Sequence, residues 1–350
     1  MLHLICNDVC AIVIVTYCYQ VKSKKTIIVL LLMASTTFCL AQTKIKMNNK
    51  NPLLCKPDSG ICEVVSNELA DKKTRKIIST TKPIRLIYFT DPICSSCWGI
   101  EPQIRKLKLE YGSSIDVEYK MGGLLPDWSY NSGGISKPSD VAHHWDEVSV
   151  YYDMPIDGDV WLEDPLHSSY PPSIAFKAAQ MQDINKAVLF LREIREMVFL
   201  QKKNITKPEH LIAAVHKVGL DTSKFKSDFE GPAHQLFNDD LKLAKQLGVR
   251  GFPTIFFADS AGNNEMVYGA KPYTDYQTAL MKLYPEIEKE SFDKSLDTVF
   301  SKYHSLTANE YALITNTPRT EAENTLNNYT RSGVLKKIIT KNGDLWMFEK

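Results

Sequence analysis

Two short apolar runs stand far apart in the chain, Leu86-Ile87-Tyr88-Phe89-Thr90 and Ile255-Phe256-Phe257-Ala258, and both read as buried strands. After the first run, Ile100, Ile104, Leu107 and Tyr111 recur at helical spacing, and Gly112 stands where that helix should stop. Ile115-Asp116-Val117-Glu118-Tyr119-Lys120-Met121 then alternates as a half-buried strand does. Strand, helix and strand in this order predict a βαβ unit with parallel strands and a right-handed crossover. From about Ser136 to Leu247 the apolar spacing changes to three and four, near 139–151, 171–182, 185–203, 207–219 and 233–247. Pro171-Pro172 and Pro208 fall near the expected helix starts. This block reads as a helical insertion at about 136–247. Beyond it, Ile255 to Ala258 and Met266 to Tyr268 flank a turn-rich loop and predict a hairpin, followed by a helix over 274–283 capped near Thr274.

The last stretch, 290–350, has a pattern of its own. Phe292 to Tyr303, Thr307 to Thr315 and Thr320 to Tyr329 read as three short helices. Leu335 to Thr340 and Asp344 to Phe348 read as a hairpin around Lys341-Asn342-Gly343, because Asn-Gly suits a tight hairpin turn. Three helices and a hairpin are winged-helix order, with 320–333 in the place of a DNA-reading helix. Glu321 and Glu323 would face phosphates there, so a docking or dimerisation module is expected and no nucleic-acid partner.

At the other end, Lys22, Lys24 and Lys25 precede the apolar stretch Thr26 to Phe38, and Cys39-Leu40-Ala41 resembles a small-residue cleavage site. A signal-like segment at about 22–41 predicts export to the periplasm or beyond, with no stable membrane span in the mature chain. A second apolar stretch upstream, Ala11 to Tyr19, displaces this grammar, and translation from Met47 would instead leave a cytoplasmic protein. Segment 1–46 is therefore read as signal-like or mis-started, and 47–83 as a cysteine-containing tail and linker. Within the tail, Cys55 and Cys62 bracket the turn-forming Pro57-Asp58-Ser59-Gly60. In an exported protein they would form a structural disulfide, in a cytosolic one a second redox pair or a metal-responsive pair, and the remaining reading is two unpaired thiols.

The chemistry is concentrated at Cys94-Ser95-Ser96-Cys97, at the junction between the first strand and its helix. A cysteine at a helix N-terminus meets unpaired N–H groups that favour a thiolate, the nucleophile of disulfide exchange. Structural zinc would require a second pair or a matching Cys/His set, which the mature region lacks, so no metal is expected. The cluster His143-His144-Trp145 reads as packing or surface. Far downstream, Pro253 introduces the second apolar run, a position where proline costs no ladder hydrogen bond and where an X-Pro bond can be cis.

A strand, a Cys-x-x-Cys opening a helix and a distant Gly251-Phe252-Pro253-Thr254 before a strand together resemble the thioredoxin superfamily. The helical insertion is similar to that of its DsbA-type branch. Asp91-Pro92-x-Cys94-x-x-Cys97-Trp98, with Gly122-Gly123-Leu124 after the next strand, resembles the subgroup of SpxH/YjbH-type adaptors and FrnE-like proteins. The resemblance implies an α/β thioredoxin-like domain over 84–285. It implies Cys94 as attacking and Cys97 as resolving cysteine, Pro253 as a cis-proline beside them, and Trp98 and Phe252 as substrate contacts. Two serines between the cysteines, where strong oxidants carry proline and histidine, predict a weaker lowering of the Cys94 pKa and a less oxidising pair. Phe252 departs from the small or β-branched residue usual before the proline.

Composition adds little: 350 residues, 44% hydrophobic, 24% charged and a formal net charge of +1 describe an ordinary globular chain. Two functions follow. The first is a protein thiol-disulfide oxidoreductase without cofactor, acting on protein thiols or disulfides and recycled by a redox partner. The alternative is a redox-responsive adaptor presenting a partner to a protease, which an exported protein could not be. A glutathione-dependent isomerase of the kappa-type branch is disfavoured by the complete cysteine pair.

Overall fold

The computed structural model describes residues 60–63, 82–129 and 137–348. The signal-like stretch, Met47 and Cys55 lie outside these residues.

The centre of the fold is β2 (Ile84–Thr90), which is buried on both faces and accordingly apolar almost throughout. A preceding two-residue strand, β1 (Cys62–Glu63), stands apart from it. On one side of β2 runs β3 (Ile115–Met121), parallel, with Leu86 opposite Val117. On the other runs β5 (Thr254–Asp259), antiparallel, with Leu86 opposite Phe257, and β6 (Asn264–Tyr268) completes the order β3-β2-β5-β6. Between β2 and β3 the sequence predicts one helix; the structure has two, α1 (Ser95–Gly99) and α2 (Glu101–Tyr111), meeting at Ile100. Pro102 in the first turn of α2 has no N–H to continue the upstream ladder, which is why the helix restarts there.

The insertion forms α3 (Ser139–Tyr152), the single turn α4 (Val160–Glu163), α5 (Tyr170–Gln182), α6 (Ile184–Leu200), α7 (Pro208–Lys217), α8 (Thr222–Glu230) and α9 (Ala233–Gln246). Of these α8 escapes the apolar pattern, since Phe225 is its one fully sunk hydrophobe. It is started by Asp221, whose carboxylate accepts from Lys224 N–H. After β4 (Gly251–Phe252) and the hairpin comes α10 (Tyr273–Leu283). Its N-cap position is Pro272 and carries no side-chain cap, so Thr274 lies inside the first turn and is not the cap.

The C-terminal module consists of α11 (Leu296–Lys302), β7 (Ser305–Thr307), α12 (Ala308–Thr315), α13 (Arg319–Arg331), β8 (Leu335–Thr340) and β9 (Gly343–Phe348). The hairpin gains β7 as a third strand, in the order β7-β9-β8. It encloses a small core of its own around Phe300, Leu306, Leu326 and Trp346. Buried charges join it to the larger body. Glu310 of α12 receives both Arg192 of α6, at 2.8 and 3.1 Å, and Arg105 of α2, at 3.3 Å. Among the described residues no helix is long and apolar enough to cross a membrane.

Candidate redox site

Cys94 is the N-cap of α1: its backbone is extended, and its sulfur accepts the Cys97 N–H at 3.2 Å. The strand-to-helix turn is held by Asp91, whose carboxylate accepts from Ile93 N–H at 3.0 Å, Leu124 N–H at 2.8 Å and the Ser169 hydroxyl at 2.8 Å. Both cysteines are free thiols and neither has exposed surface.

Burial decides much of the electrostatics. It pushes Cys94 well above the ordinary thiol range, aided by its hydrogen bond to Cys97 and by the nearby Asp91 charge. The weakly lowered Cys94 pKa expected from the helix terminus is therefore overturned, because desolvation outweighs one N–H donor. Cys97 is also penalised by burial. The hydrogen bond from Cys94, the Arg195 guanidinium and the Thr90 hydroxyl outweigh that penalty and draw it below the usual value. The pair thus shares one readily lost proton across the Cys94–Cys97 hydrogen bond. Burial likewise raises Asp91 to about 6, against its three hydrogen bonds and Arg195.

Arg195 is a residue that sequence reasoning missed. It sits buried on α6, donating to Thr90 Oγ1 at 2.6 Å and to the Asp91 carbonyl at 3.2 Å, with Glu101 at 3.4 Å. Nothing local marks it; the helix pattern identifies only its neighbours as core. Asp91 enters the sequence reading only as part of the Asp91-Pro92-x-Cys94 motif, with no chemical role of its own. Ser96, read as a weak thiolate stabiliser, instead hydrogen-bonds Tyr152 Oη at 2.7 Å.

The Phe252–Pro253 bond is cis. Phe252 is fully buried, its ring lying over Gly122, so its backbone rather than its side chain faces a partner strand. That strand is β1: Cys62 pairs antiparallel with Phe252, and Glu63 with Gly251. Cys62 is disulfide-bonded, and its sulfur lies 3.2 Å from Cys94 Sγ and 3.5 Å from Ser96 Oγ. The three sequence motifs, Cys62, Cys94–Cys97 and Phe252–Pro253, therefore converge. Trp98 does not join them as a substrate contact. It has no exposed surface, stacks on Phe199 at 5.5 Å, donates to the Pro155 carbonyl at 3.0 Å and lies under Arg192 at 4.4 Å. A large apolar ring beside the motif was better used to fill the space under the helical insertion than to meet substrate.

His143 is exposed beside Glu147 and His144 is buried on the next position of α3. Among the described residues no group of three or more His, Cys, Asp or Glu is placed to hold a metal ion. The chemistry this arrangement can perform is thiol-disulfide exchange.

A family model described as "Thioredoxin" matches residues 88–278. The ClpXP adapter protein SpxH of Halalkalibacterium halodurans is 34% identical over 307 residues, covering 86% of this chain and 99% of that protein. The ClpXP adapter protein SpxH of Bacillus subtilis is 29% identical over 270 residues, covering 76% and 89%. Among solved structures, a putative protein disulfide isomerase from Nitrosomonas europaea superposes with a TM-score of 0.49 at 22% identity, over 63% of this chain and 99% of that one. The cytosolic disulfide reductase DsbM from Pseudomonas aeruginosa does so with a TM-score of 0.47 at 22% identity, over 57% and 99%.

Proposed function

The chain belongs to the thioredoxin-like family that includes the SpxH proteins, and on that premise we propose that it is an adapter. It binds a protein partner and delivers it to a ClpXP-type protease, with Cys94 and Cys97 making that interaction responsive to redox state. The observation that carries this reading is the burial of Cys94 beneath β1. A turnover enzyme must present its nucleophile to large substrates, and reactive cysteines are at least partly exposed. A sulfur sealed by the chain's own strand suits sensing better than turnover. The match to a relative over nearly that protein's whole length supports the same reading.

A second reading, protein thiol-disulfide oxidoreductase, is favoured by the free dithiol lying beside a disulfide. One set of assays separates the two. The full chain is added to a purified ClpXP-type protease together with proteins it retains on a column, under reducing and oxidising conditions. The adapter reading expects at least one retained protein to be degraded several-fold faster with the chain present, and to a different extent in the two conditions. It is overturned if no retained protein is accelerated while the chain reduces insulin disulfides catalytically and Cys94→Ser abolishes that activity. Sharing a compartment with the protease corresponds to translation from Met47, which N-terminal sequencing of the natural protein tests against cleavage after the signal-like segment.

A further inference from the structure

We propose that the Cys62 segment is a tethered substrate of the Cys94–Cys97 pair, and that electrons pass from the pair to the Cys62 disulfide within a single chain. This rests on the redox-responsive part of the reading above and gives it a built-in exchange partner.

Four observations carry it. The first is distance: Cys94 Sγ and Cys62 Sγ are 3.2 Å apart without being bonded, within the roughly 3–3.5 Å of a near-attack arrangement. Second, the oxidation states are complementary, since Cys94 and Cys97 are thiols and Cys62 is in a disulfide. Third, β1 is held as an added strand. It pairs with β4 through Cys62 opposite Phe252, and the Gly60 carbonyl accepts Ala270 N–H at 2.6 Å. β1 and β4 form a two-stranded ladder apart from the four-stranded sheet, so the segment is held backbone first, as an extended peptide is in β-strand addition. Gly60 is required for the approach: its φ is +64°, and a Cβ there would fall 2.6 Å from Ala270 Cβ. Fourth, Ser96 Oγ lies 3.5 Å from Cys62 Sγ and 2.7 Å from Tyr152 Oη. A hydroxyl is thus within reach of the Cys62 sulfur as charge develops on it.

The exchange balances within the chain. Cys94 passes its proton to the Cys97 thiolate across their hydrogen bond, and its sulfur, held by Cys97 N–H, attacks Cys62 Sγ. The Cys94–Cys62 bond forms, the bond from Cys62 to its partner breaks, and the partner sulfur leaves as a thiolate and takes up a proton. That partner lies outside the described residues, whose other cysteines, Cys94 and Cys97, are free. Cys97 gives up the proton it received, and its thiolate then attacks Cys94 Sγ. The Cys94–Cys97 bond forms, the Cys94–Cys62 bond breaks, and Cys62 leaves as a thiolate that Ser96 can serve before it is protonated. The pair loses two electrons and two protons; the two leaving sulfurs gain them. No outside oxidant or reductant enters.

The test traps the intermediate. Full-length Cys97→Ser protein is incubated across a glutathione redox series, quenched by alkylation, and its disulfides are mapped by peptide mass spectrometry. The expected result is a Cys94–Cys62 cross-link as the dominant species in Cys97→Ser, lost in Cys97→Ser/Cys62→Ser. Wild type provides a measurement free of any folding defect. A Cys94–Cys97 disulfide with Cys62 and its former partner alkylated should interconvert with the starting isomer after excess glutathione is removed. The proposal is overturned if Cys94 is found only as a thiol or glutathione adduct at every potential while the Cys62 disulfide persists, or if the two wild-type isomers do not interconvert. The map needs neither protease nor partner. A failed relay with redox-sensitive degradation sinks only this proposal; a working relay with degradation blind to redox sinks the adapter's redox response.

Discussion

Arg192 and Glu310, 118 residues apart, form a two-pronged ion pair at 2.8 and 3.1 Å in which neither side chain is appreciably exposed. Glu310 does two further things: its carboxylate accepts Thr307 N–H while its own N–H donates to Thr307 Oγ1, closing a capping box at the start of α12. One carboxylate therefore both starts the helix and fastens the C-terminal module to α6. Removing one partner of a buried pair leaves the other charge uncompensated. Glu310→Gln is expected to cost about 3 kcal/mol or more of unfolding free energy in urea titration. A single-variant loss well under about 1 kcal/mol would show that Glu196 and Glu101 neutralise Arg192 alone.

Gly122 is a spacer for the redox site. A Cβ added there would stand 1.8 Å from Phe252 Cζ, so the buried ring must move. Gly122→Ala should cost about 1–3 kcal/mol, as overpacked cores do. Because Phe252 carries the backbone that holds Cys62, the same variant should also speed alkylation of Cys94 by iodoacetamide. Unchanged midpoint and unchanged alkylation together would remove the proposed link.

Asp91 ionises near pH 6 in the fold, above its ordinary 3.8, because it is buried. A carboxyl whose folded pKa is raised favours folding while protonated, and that contribution declines as pH rises through 6. Relative to Asp91→Asn, wild type should thus gain about 2 kcal/mol of stability between about pH 8 and about pH 4.5. Urea titrations at the two values read this directly, and a gap that is flat or reversed contradicts the assignment.

Arg195 holds the Cys97 pKa down from a position buried on α6. Arg195→Gln should raise the pH at which the first thiolate absorbs in the ultraviolet, while circular dichroism checks that the fold is retained. An unchanged titration would leave Cys94 and Thr90 as sufficient donors.

Periodicity was enough to place most of the elements, because each buries a stripe or face whose spacing is written locally. Its failures share a cause. The break at Ile100 follows from Pro102 acting on an otherwise continuous helical pattern, and α8 has too few apolar residues to register. Strands β1 and β7 are two and three residues long and exist only through their partners Phe252 and Trp346. The motif residues were legible for a similar reason: Cys94, Cys97 and Pro253 carry chemistry that few other residue types can supply.

What the chain alone determined, then, is a thioredoxin-like sheet, a helical insertion, a C-terminal module and a cysteine pair at a helix start. Tertiary structure decided the state of that pair. Burial overrode the helix terminus at Cys94, a distant arginine acted on Cys97, and Trp98 went to the core. It also brought Cys62 against Cys94, a contact across 32 residues that neither local spacing nor composition encodes. The physical reason is one of range. Helix and strand propensities act over a few residues, whereas desolvation, charge and sulfur–sulfur contact depend on which distant segments the fold brings together.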